Sequence, residues 1–260
     1  MKENSRPYSS KIIKAGALLT DSKSFLQAYD EKLSAVENLQ RLQRENIFAK
    51  DTRSRVADIL PIFRQRFCDD QALARPLRKL ARGSTSPDVL DRILYFHAGR
   101  SDRLLYDFAC NFLFEKQRTG DLQVKFDDAS RFVSALLQQH GVSWSPSTLQ
   151  HATQGLLATL RDFHVLEGAV KKRIAPIYLP PEAFAYIAFA IHVGGPSGDR
   201  LVHHPDWRLF LLTPQAVERL FLEAHQRHLL SYQAAGNMIR IEFITRTLEE
   251  MADVIAARAH

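Results

Sequence analysis

Apolar residues recur at helical spacing along most of the chain, and alternation at period two is confined to short stretches. After a loose tail to Arg6, order is expected to begin at Tyr8, with Ile12, Ile13, Ala17 and Leu18 on one helical face. Asp21-Ser22 opens a short helix burying Phe25, Leu26 and Tyr29, and Leu33, Val36, Leu39 and Leu42 make an amphipathic helix to about Glu45. Asn46 to Lys50 reads as a turn. Asp51 then caps a helix through Phe67 that directs Val56, Ile59, Leu60 and Phe63 inward, with Pro61 placed to kink it. Gln71 to Arg82 is a basic helix interrupted by Pro76, and Gly83-Ser84-Thr85-Ser86-Pro87 is the clearest punctuation in this half. Two helices follow, separated by a turn at Ala98 to Ser101. The first buries Val89, Leu90, Ile93, Leu94 and Phe96, the second Leu104, Leu105, Phe108, Phe112 and Leu113, and together they read as an antiparallel hairpin.

The stretch from Asp127 to Pro180 has a different grammar. An amphipathic helix to His140 breaks at Gly141-Val142-Ser143-Trp144, and Ser145-Pro146-Ser147 opens a second helix, with Ser145 as N-cap and Pro146 at the first helical position. Leu149, Ala152, Leu156, Leu160 and Phe163 form its apolar stripe, while Ser147, Gln150, His151, Gln154 and Arg161 occupy the other face. Past Phe163 the period stops, and Lys171-Lys172-Arg173 leads into Ile174 to Leu179; a short strand at Val124 to Phe126 precedes the first helix. Helix, turn, helix and basic ribbon is the order of a winged helix-turn-helix, whose second helix enters the major groove while flanking cations grip phosphate. Short amide and hydroxyl groups suit base edges better than a wall of Lys and Glu would. Winged units also serve as protein-docking modules, so a solvated face is the competing reading.

Downstream, Pro181-Glu182 starts an almost wholly apolar helix expected to pack the winged part, and Gly194 to Gly198 is a flexible loop. His204-Pro205-Asp206 opens a short helix with Trp207, Leu209, Phe210 and Leu211, and Thr213-Pro214 caps another burying Val217, Leu220, Phe221 and Ala224. Leu230 to Tyr232 and Ile239 to Phe243 read as strands around a turn at Ala235-Gly236-Asn237, and Thr245 to Ala257 closes the chain as a helix. The expected fold is mainly α, with two helical domains carrying helix-turn-helix units, the second winged with short β-hairpins. The boundary is expected between residues 120 and 121, giving domains 1–120 and 121–260.

Composition, at 45% hydrophobic and 25% charged, is that of a folded globular protein. The longest apolar run, Ala183 to Val193, is too short to cross a bilayer, so no membrane partner is expected. Cys68 and Cys110 are the only cysteines, which excludes a disulfide framework and fits a reducing cytoplasm. The net charge is +6, and twelve Lys or Arg against six acids between Lys32 and Arg82 hold an excess as large as that of the whole chain. That is the footprint of a polyanion binder, though solvated helix faces are also rich in Arg. Within this region Lys50, Thr52, Arg53, Ser54 and Arg55 combine cations and hydroxyls at the start of a second helix-turn-helix candidate.

Candidate chemistry is thin. His203-His204 and the pair His225 and His228 lack a third ligand at any familiar metal spacing, and Gly194-Gly195-Pro196-Ser197-Gly198 lacks the Lys of a phosphate loop. Nothing in the residues calls for a cofactor, a metal or catalysis. The chain resembles the BrxA family, the small helical component of bacterial BREX phage-defence systems, over essentially its full length. The likeness is carried by Tyr8 to Leu19, by Arg53-Ser54-Arg55-Val56 and its helix to Arg64, and by Ser147-Thr148-Leu149 through Leu160-Arg161-Asp162-Phe163. Asp206 to Leu212 and Tyr232 to Gly236 add to it. The resemblance implies a cytoplasmic, non-enzymatic protein that binds double-stranded DNA and works with other BREX components: a DNA methyltransferase, an ATPase and an alkaline-phosphatase-like protein. The family is also similar in helical architecture to the antitermination factor NusB, which keeps RNA binding open. Where the second helix of the winged unit more usually ends in Gly, this chain has His164, which puts the wing geometry in question.

The surfaces expected to meet DNA are therefore Lys50 with Thr52 to Arg55, the face Ser147, Gln150, His151 and Gln154, and the ribbon Lys171, Lys172 and Arg173. A pure scaffold, docking a partner through Ala183 to Val193 or through Trp207 and Phe210, is the third expectation.

Overall fold

The structure, a computed structural model, describes residues 6–14, 16–45, 47–48, 53–68, 71–83, 85–236 and 238–258. In chain order the α-helices are α1 Leu19–Ala28, α2 Ala35–Arg44, α3 Arg53–Phe63, α4 Gln71–Arg82, α5 Pro87–Ser101, α6 Arg103–Asp107 and α7 Phe114–Thr119. They continue as α8 Phe126–Gln139, α9 Pro146–Asp162, α10 Pro181–His192, α11 Asp199–Val202, α12 Pro214–Gln226 and α13 Leu248–Ala257. Strands β1 Gln123–Val124, β2 Leu166–Glu167 and β3 Lys172–Ile174 form one antiparallel sheet with β3 in the middle, and β4 Leu230–Ala235 pairs with β5 Met238–Phe243. The fold is mainly α with short hairpins, as the periodicity predicts.

Contacts divide the chain into two compact units, each built from separated stretches. The first comprises Met1–Leu18, Tyr95–Tyr178 and Pro205–Leu212; the second comprises Leu19–Leu94, Leu179–His204 and Thr213–His260. The expected boundary at residue 120 thus falls inside the first unit. Periodicity reads one segment at a time and carries no record of which core a later segment rejoins.

In the second unit, Phe25 of α1 stacks on Phe63 of α3 at 5.1 Å and on Phe67 at 6.1 Å between ring centroids. Burial of each such ring contributes roughly 1.5–3 kcal/mol. The Ser34 hydroxyl and the Glu37 carboxylate cap the start of α2 reciprocally. Val36 is half exposed, so the stripe of α2 is narrower than its sequence implies, and buried Asn38 instead ties α2 to the preceding turn by donating to the Asp30 carbonyl at 2.7 Å. Helix α4 runs unbroken through Pro76. Much of the local basic charge is engaged in holding this unit. Arg78 pairs with Glu31, Lys79 lies 2.8 Å from Asp253 and 3.0 Å from Glu249 of α13, Arg82 donates to the Gln27 carbonyl at 2.6 Å, and Arg66 is buried. The excess between Lys32 and Arg82 is therefore a weaker sign of a polyanion site than its size implies.

Helix α10 packs against α12 and α13, with Phe184 edge-on to Phe221 at 4.7 Å, and so belongs to the second unit rather than to the winged stretch. Its residues Ala183 to Ile191 are all buried, as are Trp207 and Phe210 in the first unit. Most of the two apolar stretches considered for a scaffold is thus core; at the end of the first, Val193 is exposed.

In the first unit the turn expected at Ala98 to Ser101 is absent. Helix α5 continues to Ser101, and a single residue, Asp102, separates it from α6, its carboxylate accepting the Leu104 and Leu105 N–H groups at 3.0 and 3.1 Å. A π-turn over Phe108–Leu113 follows and sets Phe108 and Phe112 against Phe132 of α8. The 3-10 turn Pro205–Phe210 seats Trp207 here, and Tyr95 donates to the Leu209 carbonyl at 2.9 Å. Gly99 lies close against this turn, where a Cβ would sit 2.8 Å from the Leu209 side chain. Tyr106 donates to Asp206 at 2.7 Å, and Arg100 stands 3.4 Å from the other carboxylate oxygen. Burial, reinforced by Arg100, holds His97 neutral by pushing its pKa down to about 3.

Candidate nucleic-acid interface

Helix α8 ends where Gly141, at φ +67°, donates to the Gln138 carbonyl at 3.1 Å and Val142 donates to the Leu137 carbonyl at 2.9 Å. That left-handed residue turns the chain out of the helix, which is why the position is Gly. Helix α9 then starts as its sequence predicts. The Ser145 hydroxyl accepts the Thr148 N–H at 3.1 Å and Pro146 takes the first helical position.

The inward side of α9 is Ala152, Thr153, Leu156, Leu157, Thr159 and Leu160, continued by Phe163. Leu149, expected in that stripe, is only half-buried. Thr153 and Thr159 are buried without penalty because their hydroxyls donate to the Leu149 and Gly155 carbonyls at 2.8 and 2.7 Å, one turn back. Ser147, Gln150, His151 and Gln154 are all exposed, as expected, and together cover the first two turns of the helix. Each amide carries both a donor and an acceptor, the pair that matches an adenine edge.

At the far end of α9, His164 sits at φ +57°. It donates to the Arg161 carbonyl at 2.9 Å while buried Val165 donates to the Leu160 carbonyl at 2.8 Å, the bonding of a Schellman turn. His164 thus performs the turn usually given to Gly, at a strain of about 1–2 kcal/mol. The hairpin follows at once, with Leu166 opposite Ile174 and Glu167 opposite Arg173, and β1 pairs on the other side of β3 through Gln123 and Arg173. Gly168, at φ +89°, makes the tight bend: a Cβ there would collide with the Lys171 carbonyl oxygen.

The cations of the hairpin are not equivalent. Lys171 is exposed and pairs with no acid among the described residues, Lys172 is half-buried and donates to the Ala169 carbonyl at 2.8 Å, and Arg173 pairs with Glu167. The last pair is exposed and so exchangeable for a phosphate at small loss.

One component of this surface is invisible to local periodicity. Residues 8–14, expected to be helical, form only a short 3-10 turn at Ser10–Ile13 and otherwise run as a strap over the first unit, on which Gly16 also lies. Tyr8 anchors it by donating to Asp107 at 2.6 Å, beneath the Arg103 guanidinium and edge-on to His140 at the end of α8. Burial and the Asp107 carboxylate raise the Tyr8 pKa, keeping its proton in that bond. Further along, the strap lies directly on α9, where a Cβ on Gly155 would sit 2.8 Å from the Ile12 carbonyl oxygen and one on Gly16 would sit 3.0 Å from the Thr159 hydroxyl.

Arg53, Ser54 and Arg55 form the first turn of α3, in the second unit, and Lys50 and Thr52 lie outside the described residues. Helix α9 and the hairpin belong to the first unit. The histidines weighed as metal ligands have local roles: His203 pairs with Asp199 at 3.1 Å, His225 accepts the Tyr232 N–H at 3.4 Å, and His228 is the left-handed residue after α12. Cys68 and Cys110 are buried, and burial pushes the Cys110 thiol pKa up. No helix among the described residues is long and apolar enough to cross a membrane.

These features define a mainly helical protein in which a helix with an open polar face leads into a basic hairpin. The chain belongs to the BrxA family, whose model matches residues 6–190, and is therefore a BREX-associated protein. No curated protein compared with the chain matches it.

Proposed function

We propose that the chain is a double-stranded DNA-binding accessory protein of a BREX phage-defence system. It works in the cytoplasm beside the methyltransferase, the ATPase and the alkaline-phosphatase-like protein. The observation that carries this reading is the exposed run Ser147, Gln150, His151 and Gln154 on α9, followed in the same unit by the hairpin that carries Lys171, Lys172 and Arg173. The order β1, α8, α9, β2, β3 supports reading the unit as a winged helix-turn-helix, with α9 in the major groove and the hairpin on phosphate. Phosphate neutralisation supplies most of the affinity, and two Gln and one His give limited base reading. The start of α3, with Lys50 and Thr52 to Arg55, is a second proposed contact.

The test is competition at one salt concentration, in which a labelled duplex held by the protein is displaced by unlabelled duplex or by single-stranded RNA of equal length. Duplex is expected to displace it at a concentration lower by about ten-fold or more. Equal or better displacement by RNA would favour an RNA adaptor in the NusB manner. Failure to retain either nucleic acid at low salt would favour a protein scaffold.

A further inference from the structure

We infer that the strap of residues 8–14, with Gly16, forms one wall of the duplex-binding surface, with Lys11 and Lys14 meeting the phosphates that border the groove entered by α9. The inference rests on the proposed reading of α9 as the helix that enters DNA. Its own basis is the contact between strap and helix. The chain crosses α9 at Gly155, where the Ile12 backbone comes so close that only Gly fits, and reaches Thr159, one turn further on, at Gly16. Lys14 lies between those two crossings and Lys11 just before the first, and both are exposed, whereas Tyr8, Ile12 and Ala17 are the residues that bury the strap.

An α-helix with its side chains is about 10–12 Å across and the major groove about 12 Å wide, so a chain packed directly against the side of such a helix cannot enter with it. It must stop at the groove wall, which is made of phosphate. The strap therefore limits insertion to the first two turns of α9, those carrying Ser147, Gln150, His151 and Gln154, and sets two ammonium groups where the backbone passes. Tyr8, bonded to Asp107 and packed on His140, fixes the near end, so the two lysines ride on an ordered segment rather than a free arm. On this account the hairpin cations and the strap cations are two separate phosphate contacts flanking one reading helix.

The experiment is a salt titration of duplex binding by the full chain, by Lys11→Ala/Lys14→Ala, and by a control, Arg200→Ala/Arg219→Ala, which removes two exposed cations from the second unit. The strap variant is expected to melt with the wild type, to reduce the slope of log K against log salt by about 2, and to weaken binding at 0.1 M salt by roughly ten- to a hundred-fold. The control is expected to keep the wild-type slope. Wild-type binding with an unchanged slope in the strap variant, or an equal loss in the control, would overturn the inference while leaving the reading of α9 intact. A wild-type chain that retains no duplex would overturn both.

Discussion

Gln150→Glu combined with Gln154→Glu is expected to lower duplex affinity by about a hundred-fold at 0.1 M salt while leaving Tm within about 2 °C of wild type. Glu is close to isosteric with Gln and has nearly the same helix propensity, and both positions are exposed, so the fold has no reason to respond. The bound state responds strongly. Each new carboxylate replaces a group that can donate to a base with one that can only accept, and brings a negative charge among phosphates a few ångströms away. A penalty of about 1.4 kcal/mol per position is a ten-fold loss each. Quantitative binding of one duplex by the two proteins checks it. A loss of less than about three-fold would mean that this face of α9 stays in solvent when DNA is bound.

Gly155→Val is expected to destabilise the chain by about 3 kcal/mol and to reduce duplex binding with it. The first added carbon would lie 2.8 Å from the Ile12 carbonyl oxygen, 3.3 Å from its carbon and 3.4 Å from the Ile13 Cα, all backbone atoms that cannot rotate away. Overpacking of this kind costs about 1–3 kcal/mol. Lifting the strap also returns Ile12, now 2% exposed, to water, worth about 2 kcal/mol more. The better helix propensity of Val offsets a few tenths of a kcal/mol of that. In a chain of this length the sum lowers Tm by roughly 6–12 °C, which a thermal melt reads directly. A melt unchanged from wild type would show that the strap does not rest on α9.

What the sequence disclosed and what it hid divide along the same line as local and distant contacts. The polar face of α9 was legible because Ser147, Gln150, His151 and Gln154 stand opposite an apolar stripe within one helix, and Ser145 and Pro146 mark its start. The hairpin was legible through the loss of period after Phe163 and the run Lys171 to Arg173. His164 does the work of the missing Gly because the αL geometry there is held by bonds to Arg161 and Leu160 and by buried Val165, a compensation no single position displays. The strap was not legible: Ile12 and Gly155 are far apart in the chain, and only the placement of Gly16 and of Gly155, inside an otherwise good helix, hinted at a close backbone approach. The burial of Trp207, the packing of α10 in the second unit rather than on the winged stretch, and the return of both units to segments far along the chain were hidden for the same reason. Of the charge excess between Lys32 and Arg82, Arg66, Arg78, Lys79 and Arg82 are engaged in holding the second unit, a use that a count of charges does not display.

The central claim is that cations on ordered elements of this chain neutralise the phosphates of a DNA duplex. The most direct measurement is the equilibrium constant for one duplex followed from 50 to about 300 mM salt, where each neutralised phosphate adds about 0.9 to the slope of log K against log salt. The account predicts tight binding at the low end and a slope of about −3 or steeper; no binding at 50 mM, or binding that salt leaves unchanged, would contradict it.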